Sequence, residues 1–273
     1  MEESTRIKQF KDGLIKELTF YPNDKTTSQK LESESLHKVL TYYLHWRSRI
    51  VPPRCRTAVI EPEVKADSRY KALEDKIEAL LDKVRNGEDI NLYHSKRAHQ
   101  YGYTPEINPP DYRDDKDTIL NTAGFHHFHL DALPNRTDDV LFAYVTRGKF
   151  QAIGIFNHEV FNSDRTSCEL VRMWALHEKH ARQGMGRGNS YVRHRNVVSK
   201  YPAYLIEDVD EYMKIIGEYD SKLDERNYIN SLYNKCNLQP PSRFKFEWCM
   251  NALDLCVRDR KNNETFNLYE ADM

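Results

Sequence analysis

The chain has 273 residues, of which 39% are hydrophobic and 30% are charged, and its formal net charge is −1. This length suits one large domain or two small ones, and the small number of glycines and prolines argues against long disordered tracts. The near-zero net charge predicts neither a nucleic-acid binder nor its opposite, so an argument for either must rest on local patches.

Sequence features that are typical of membrane and secreted proteins are absent, and this indicates a cellular location. No apolar run approaches the roughly 18 residues that span a bilayer, and the charged N-terminal segment lacks the apolar stretch of a secretory signal. No CxxC pair occurs among the five cysteines, which argues against a zinc finger and a disulfide framework. We therefore expect a reduced, cytoplasmic protein with no membrane partner.

Helical periodicity dominates the first 90 residues. Apolar residues spaced three and four apart predict helices over 6–18, from Ser35 to a point before Pro52, and from a cap at Asp67 to the stop signal at Asn86 and Gly87. The polar segment 21–28 is predicted to be a loop. We expect a helical block over residues 1–90, followed by an irregular connector over 93–117.

After the connector the sequence pattern changes from helical to extended. The segments HHFHL, DVLFAYVT (139–146) and FQAIGIFNH (150–158) predict three strands, and residues 147–149 form a tight turn between the last two. This arrangement is typical of an antiparallel β-meander. Further helices are predicted over 166–182 and, as a pair, within 207–235.

The C-terminal part returns to strands. Phe244, Phe246, Trp248 and Met250 alternate with other residues, and LDLCVRD and TFNLYEA flank the turn RKNNE as in a hairpin. The predicted fold class is therefore α+β, with an N-terminal helical block, a central antiparallel β-meander, further helices and a C-terminal β-hairpin. We predict domains over 1–90 and 91–273, with a single composite domain as the alternative.

Three histidines fall within four positions of the first predicted strand. Because side chains alternate along a strand, His127 and His129 share a face, with Cα atoms roughly 7 Å apart. The opposite face carries two large apolar residues and is the expected core face, so His127 and His129 are expected on an open face. The two predicted faces are Phe125, His127 and His129, and His126, Phe128 and Leu130.

Three interpretations of these histidines remain open. They are hydrogen-bonded structural residues, or they bind a metal together with His158, or they carry out acid–base catalysis without a metal. Histidine titrates near pH 6.5, so a pair supplies one base and one acid at cellular pH. We take metal-free acid–base catalysis as the working hypothesis, with no cofactor.

The meander resembles the core of the RelE-family bacterial toxins, which belong to a group of small metal-independent ribonucleases. The matching text is HFHLDALPNRTDDVLFAYVTRGKFQAIGIFNHEVF, residues 127–161, where LFAYV and IGIFNH resemble the two apolar strands of those toxins. The helical block and the C-terminal portion have no counterpart there. The segment DTILNTAGFHHFHL also resembles a motif of uncharacterised bacterial proteins, some encoded near phage-defence genes.

The resemblance implies RNA cleavage, which needs a base for the 2′-hydroxyl proton, an acid for the leaving 5′-oxygen and cations for the growing charge on phosphorus. Asp117 and Asn121 are placed to fix a histidine tautomer, although capping a short helical turn is the simpler role for Asp117. The catalytic candidates are His127 and His129 as base and acid, then His158 and His126, with Arg136 as phosphate clamp and Tyr144 as orienting group.

A basic segment follows the meander. It has one acidic residue, Glu178, and tyrosines that offer stacking faces, so it is a candidate track for a phosphate backbone. A solvated helix face is the alternative. The basic residues are Arg172, Lys179, Arg182, Arg187, Arg193, Arg195 and Lys200.

The leading functional hypothesis is a bacterial toxin or anti-phage defence effector that acts as a metal-independent endoribonuclease. The expected partners are an RNA or nucleotide substrate and an antitoxin or defence complex. A metal-dependent hydrolase that uses His127, His129 and His158 is the alternative enzyme. A non-enzymatic module that binds nucleic acid or a partner is the third hypothesis.

Overall fold

The computed structural model describes residues 4–105, 116–162, 166–183, 185 and 201–271. Within these ranges it is an α+β fold with ten α-helices and two β-sheets, and the helices come first, as predicted. The elements are α1 (Thr5–Glu17), α2 (Lys25–Ser33), α3 (Leu36–Arg47), β1 (Thr57–Ile60), α4 (Pro62–Lys65), α5 (Tyr70–Asn86), α6 (Lys96–Gln100), α7 (Thr118–Ala123), β2 (Phe125–His129), β3 (Val140–Val145), β4 (Lys149–Phe156), α8 (Cys168–Ala181), α9 (Ala203–Tyr219), α10 (Arg226–Lys235), β5 (Phe246–Asn251), β6 (Asp254–Asp259) and β7 (Glu264–Tyr269).

Short-range signals set the ends of the N-terminal helices. Ser4, Asp24 and Ser35 each accept a hydrogen bond from a backbone N–H of the following turn, at 2.8 to 3.4 Å, and so begin α1, α2 and α3. Helix α2 occupies part of the segment predicted as a loop. Helix α5 ends at Gly87, whose φ is 72° and where a Cβ would lie 2.7 Å from the backbone nitrogen of Cys55, so only glycine fits this stop.

Helix α5 begins at Tyr70 with Arg69, rather than the predicted Asp67, at its N-cap. Asp67 instead accepts hydrogen bonds from the backbone nitrogen and the guanidinium of Arg69, at 3.0 and 2.8 Å. The same guanidinium reaches Asp139 at 3.3 Å and Glu169 at 3.0 Å. Arg69 therefore connects the start of α5 with the start of β3 and with α8.

A four-stranded sheet contains the predicted meander. Its strand order is β1-β4-β3-β2, and β2, β3 and β4 are antiparallel neighbours, which confirms the meander. Strand β1 was not predicted, and it pairs in parallel with β4, so the sheet is mixed. A bulge interrupts the β3–β4 register between Phe142 and Ala143.

Helices cover both faces of this sheet. Phe128 and Leu141 lie on the face that packs against α5, and Phe125 and Phe142 lie on the face that packs against α7 and α8. The expectation that the face of Phe125 is open was wrong, because Phe125 and Phe142 are both fully buried beneath helices. The helices contribute Ile77, Leu80, Leu81 and Val84 from α5, Ile119 and Ala123 from α7 and Met173 from α8.

The second sheet is the antiparallel meander β5-β6-β7, whose last two strands form the predicted C-terminal hairpin. One of its faces packs on helices of the N-terminal and C-terminal parts of the chain. The buried residues of this core include Phe10 and Leu14 of α1, Leu40 of α3, Val209 and Tyr212 of α9, and Trp248, Val257 and Phe266 of the strands.

The chain forms two compact units that are interleaved along the sequence. Unit 1 comprises Met1–Ser48, Gln100–Asp115 and Ala203–Asp272, and unit 2 comprises Arg49–His99 and Lys116–Pro202. Residue 90, the predicted end of the helical block, lies within unit 2. In the described part of the chain, no helix combines the length and the apolar character needed to cross a membrane.

Candidate active site

The meander brings the C-terminal ends of β2 and β4 to the same end of the sheet, beside the start of β3. Both strands run antiparallel to β3, and Val140 of β3 is paired with His129 on one side and with Phe156 on the other. His158 follows two residues after Phe156, at the start of a 3-10 turn, His158–Phe161. The ring centroids of His129 and His158 therefore lie only 5.7 Å apart.

Backbone carbonyl groups orient both imidazoles. Nδ1 of His129 lies 3.0 Å from the carbonyl oxygen of Thr137, and Nδ1 of His158 lies 2.7 Å from that of Asp138. A carbonyl oxygen only accepts hydrogen bonds, so each Nδ1 must donate its proton. In the neutral ring each Nε2 then offers a lone pair.

His129 and His158 differ in their access to solvent. His129 is only 3% exposed, and burial lowers its pKa despite the opposing hydrogen bond to Thr137, with the nearby charge of Arg136 acting in the same direction as burial. His158 is exposed. His129 is predicted from the sequence ahead of His158 as a catalytic group, but of these two rings His158 is the one that a substrate can reach.

His127 lies beside the carboxylate of Asp117. Asp117 caps α7, because its Oδ1 accepts a hydrogen bond from the backbone nitrogen of Leu120 at 2.9 Å. Its Oδ2 lies 3.4 Å from Nδ1 of His127, without the alignment of a hydrogen bond. The cap role is confirmed, and the carboxylate places a negative charge beside His127 without a hydrogen bond that would fix its tautomer.

The Phe161 ring lies close to both His127 and His158. Its ring centroid is 4.9 Å from that of His127 and 5.8 Å from that of His158. Arg136 is exposed in the loop that joins β2 to β3, close enough to act on the pKa of His129. The structure thus brings together four predicted catalytic residues: His127, His129, His158 and Arg136.

His126 belongs to the opposite face of the sheet. Its ring lies 5.8 Å from that of His94 and stacks at 6.2 Å on that of Phe128. Burial lowers the pKa of His126 to about 4 and holds the pKa of His94 well below its usual value. The sheet therefore separates His126 from His127 and His129, and both His126 and His94 are neutral at pH 7.

Tyr144 is also apart from the other catalytic candidates. Tyr144 is paired with Phe125, whereas His129 is paired with Val140, so the two pairs are four residue steps apart along β3, roughly 13 Å. The Tyr144 ring instead lies 5.0 Å from the ring of His180. Tyr144 therefore lies at the opposite end of the strand pair.

Carboxylates pair with the described residues of the basic segment, some from distant parts of the chain and some from the same helix. Arg172 contacts Asp67 at 3.1 Å and Glu169 at 2.7 Å, and Lys179 is paired with Glu63. Arg182 is 3.6 Å from Glu178. These contacts reduce the positive charge that the sequence suggested. The remaining predicted residues, Arg187, Arg193, Arg195 and Lys200, lie outside the described residues.

The chemistry available at this end of the sheet is proton transfer and anion binding. Across the described ranges, no group of three or more His, Cys, Asp or Glu side chains is placed to hold a metal ion. His127, His129 and His158 thus do not form the three-histidine metal site of the alternative hypothesis. Two of the imidazoles, those of His129 and His158, are held by backbone carbonyls, and the third, that of His127, lies beside the carboxylate of Asp117.

Some parts of this region carry no sequence signal. Thr137 and Asp138 act through their backbone carbonyls, which any residue would supply. Phe161 follows Val160, and the sequence does not indicate that Val160 is buried while Phe161 is 40% exposed. The 3-10 turn after β4 decides this difference.

We compared the chain with models of known protein families, with curated proteins and with solved structures, and none of them matches. A function for these residues must therefore be inferred from their own geometry and chemistry.

Proposed function

We propose that this protein is a metal-independent endoribonuclease that reacts at His127, His158 and Arg136, with His129 and Asp117 as supporting residues. The observation that carries the proposal is the different setting of two imidazoles, that of His158, which is exposed, and that of His127, whose side chain is 16% exposed. His158 is held by a carbonyl with its Nε2 lone pair available, and His127 lies beside a carboxylate. We assign the first ring to accept a proton and the second to donate one, as RNA transesterification requires.

In the proposed reaction His158 is the general base. The 2′-oxygen of the substrate attacks the adjacent phosphorus, and Nε2 of His158 accepts the 2′-hydroxyl proton. His129, 5.7 Å away, is neutral because burial lowers its pKa, so it does not repel the charge that His158 acquires. The product on this side is a 2′,3′-cyclic phosphate.

His127 is the proposed general acid. The bond between phosphorus and the 5′-oxygen breaks, and Nε2 of a protonated His127 donates its proton to that oxygen, which leaves as a hydroxyl. Asp117 stabilises the protonated ring from the Nδ1 side. Arg136 binds the non-bridging phosphate oxygens with its planar guanidinium and stabilises the additional charge of the transition state.

A cleavage assay with matched histidine variants tests the proposal. The substrates are a labelled single-stranded RNA and the same sequence as DNA, both in excess EDTA. We expect His158→Ala and His127→Ala each to reduce the rate at least 100-fold. His37→Ala removes an exposed histidine of α3, 3.0 Å from Asp210, and should leave the rate unchanged.

The product and the DNA control sharpen this test. Mass spectrometry should find a 2′,3′-cyclic phosphate and a 5′-hydroxyl, and the DNA should remain intact because it lacks the attacking 2′-hydroxyl. Wild-type protein that leaves the RNA intact would contradict the proposal. Wild-type rates in folded His158→Ala and His127→Ala variants would contradict it equally.

The resemblance to RelE-family toxins extends the proposal to a cytoplasmic toxin or anti-phage defence effector. In that role the wild-type protein arrests the growth of a bacterial host when its expression is induced. The His127→Ala, His158→Ala double variant, expressed to the same level, should permit growth. Equal growth arrest by both proteins would show that toxicity does not depend on these histidines.

A further inference from the structure

Phe161 presents an exposed apolar surface within the proposed reaction centre. Its side chain is 40% exposed, although the neighbouring Val160 is 1% exposed and Phe156, at the end of β4, is also 1% exposed. The ring rests on the core through Phe142, with centroids 6.0 Å apart. One part of the ring is therefore supported by protein while another part is open to solvent.

The surroundings of this ring favour a flat, negatively charged ligand. His127 approaches it at 4.9 Å with an interplanar angle of 60°, and His158 at 5.8 Å with an angle of 57°. Two imidazoles thus flank the ring, and Arg136 adds positive charge near His129. An aromatic surface beside basic groups matches a nucleobase joined to a phosphate.

We propose that Phe161 is the stacking platform for one unpaired nucleobase of the substrate, next to the phosphate that reacts. This inference rests on the proposed ribonuclease function and deepens it, because a base can cover Phe161 only after leaving the stack of a duplex. The substrate class is therefore single-stranded RNA, and the contact is independent of base identity because every base has a π-face.

Phe161 contributes binding rather than proton transfer, which gives a specific kinetic signature. Stacking on a base acts equally in the ground state and the transition state, so its loss raises KM and leaves kcat unchanged. We expect Phe161→Leu, which remains apolar but loses the ring, to raise KM for single-stranded RNA about 10-fold. Phe161→Trp, which keeps a ring, should restore a KM close to that of the wild type.

Tyr21→Leu is the matched control. Tyr21 is a 41% exposed aromatic residue of unit 1, so its exposure equals that of Phe161 within one per cent. Its replacement should leave both KM and kcat unchanged. The thermal unfolding and circular dichroism of all variants are measured first, so that a loss of folding is not taken for a loss of stacking.

A binding measurement keeps this inference separate from the cleavage reaction. The probes are a fluorescent single-stranded 2′-deoxy oligonucleotide, which lacks the attacking group, the same oligonucleotide made of abasic sites, and a mononucleotide. Phe161→Leu should weaken binding of the base-bearing oligonucleotide about 10-fold and should not change binding of the abasic one. Equal affinity of wild type and Phe161→Leu for the base-bearing oligonucleotide overturns the inference, whether or not the wild type cleaves RNA.

The remaining outcomes of these experiments also distinguish the stacking platform from the alternatives. Wild-type KM values in Phe161→Leu, together with RNA cleavage that depends on His127 and His158, would reject the platform and retain the ribonuclease. An equal effect of Phe161→Leu on base-bearing and abasic probes would reject stacking in favour of a general change of the surface. If the mononucleotide alone shows the difference, the platform serves a free nucleotide, and the assignment to single-stranded RNA is overturned.

Discussion

The carboxylate of Asp117 faces two different partners, the backbone nitrogen of Leu120 and the imidazole of His127. One oxygen caps helix α7 at the backbone nitrogen of Leu120, 2.9 Å away, and the other lies 3.4 Å from Nδ1 of His127. The residue that fixes the start of the helix is thus also the residue that places a negative charge behind the proposed general acid. Substitutions that keep one of these roles and remove the other can separate them.

Asp117→Asn should retain the fold and reduce catalysis. Asparagine caps helices as well as aspartate does, so we expect stability within about 0.5 kcal/mol of the wild type. The substitution removes the negative charge beside the proposed general acid, so kcat should fall roughly 10-fold to 100-fold. A purely structural role for Asp117 would leave kcat unchanged in this variant, because the helix cap is retained.

The controls for this prediction are Asp117→Ala and Asp24→Asn. Asp117→Ala loses the cap as well and should destabilise the protein by about 1 kcal/mol. Asp24 caps α2 in the same way, at 2.8 Å from the backbone nitrogen of Thr27, and its replacement should not change the rate. An unchanged kcat in a fully folded Asp117→Asn would show that the charge has no effect on the reaction.

Stability should fall on mild acidification because of His126. Burial lowers the pKa of His126 to about 4, so between pH 6.5 and 4 the unfolded chain binds a proton that the folded protein does not. This contribution to stability is therefore present above pH 6.5 and is lost as the pH falls towards 4. It amounts to as much as ~3 kcal/mol, at about 1.4 kcal/mol for each unit of difference in pKa.

Urea unfolding at pH 7 and pH 5 measures this effect. His126→Asn should flatten the dependence of the unfolding free energy on pH, because asparagine does not titrate. His37→Asn removes an exposed histidine and should keep the dependence of the wild type. Parallel pH dependences in wild type and His126→Asn would show that His126 does not contribute.

Leu80 should be among the most sensitive positions of α5. Its side chain is fully buried in the cluster between α5 and the four-stranded sheet. Leu80→Ala should therefore lower the unfolding free energy by about 2–5 kcal/mol. Leu92 is 55% exposed, and Leu92→Ala should change it by less than about 0.5 kcal/mol in the same urea titration. Equal effects at the two positions would contradict the burial of α5.

Asp259 organises the C-terminal hairpin. Its buried carboxylate accepts hydrogen bonds from the backbone nitrogens of Lys245 and Lys261, both at 3.0 Å, from the Tyr233 hydroxyl at 2.8 Å and from the Asn262 amide at 2.6 Å. Burial acts to raise the pKa of Asp259, but these hydrogen bonds outweigh burial and lower it. Asp259→Ala leaves the four donors unsatisfied and should destabilise the protein by about 3 kcal/mol.

A double-mutant cycle tests the Asp259 assignment. Tyr233→Phe removes one donor only and should destabilise by about 1 kcal/mol. In the background of Asp259→Ala the same change should have a smaller effect, because its partner is already absent. Additive effects of the two substitutions would show that the hydroxyl and the carboxylate do not interact.

Local signals in the sequence predict much of the fold. A cap at Ser35 and a stop at Gly87 suffice for α3 and α5, and extended patterns with short turns suffice for the two meanders. Strand β1 is different, because it has four residues and its partner β4 lies about 90 positions away. Helix α2 was missed because its polar sequence has little apolar periodicity.

Part of the candidate site is predictable from the sequence as well. Alternation along β2 puts His127 and His129 on one face, and the meander topology brings His158 to His129. The burial of His129 is not predictable in this way. The sequences of the helices that cover this face of the sheet show an apolar side but do not indicate what that side packs against. The carbonyl contacts of Thr137 and Asp138 likewise depend on the loop conformation and not on residue type.

The interleaving of the two units has a consequence for protein synthesis. A ribosome completes the residues of unit 2 when it reaches position 202, before α9, α10 and the strands that cover α1 and α3 exist. The nascent chain should thus fold its four-stranded sheet first. At that stage the apolar side chains of Phe10 and Leu40 remain without their packing partners, which lie about 200 positions downstream. During that interval the first helices to emerge are the part of the chain that chaperones are most able to bind.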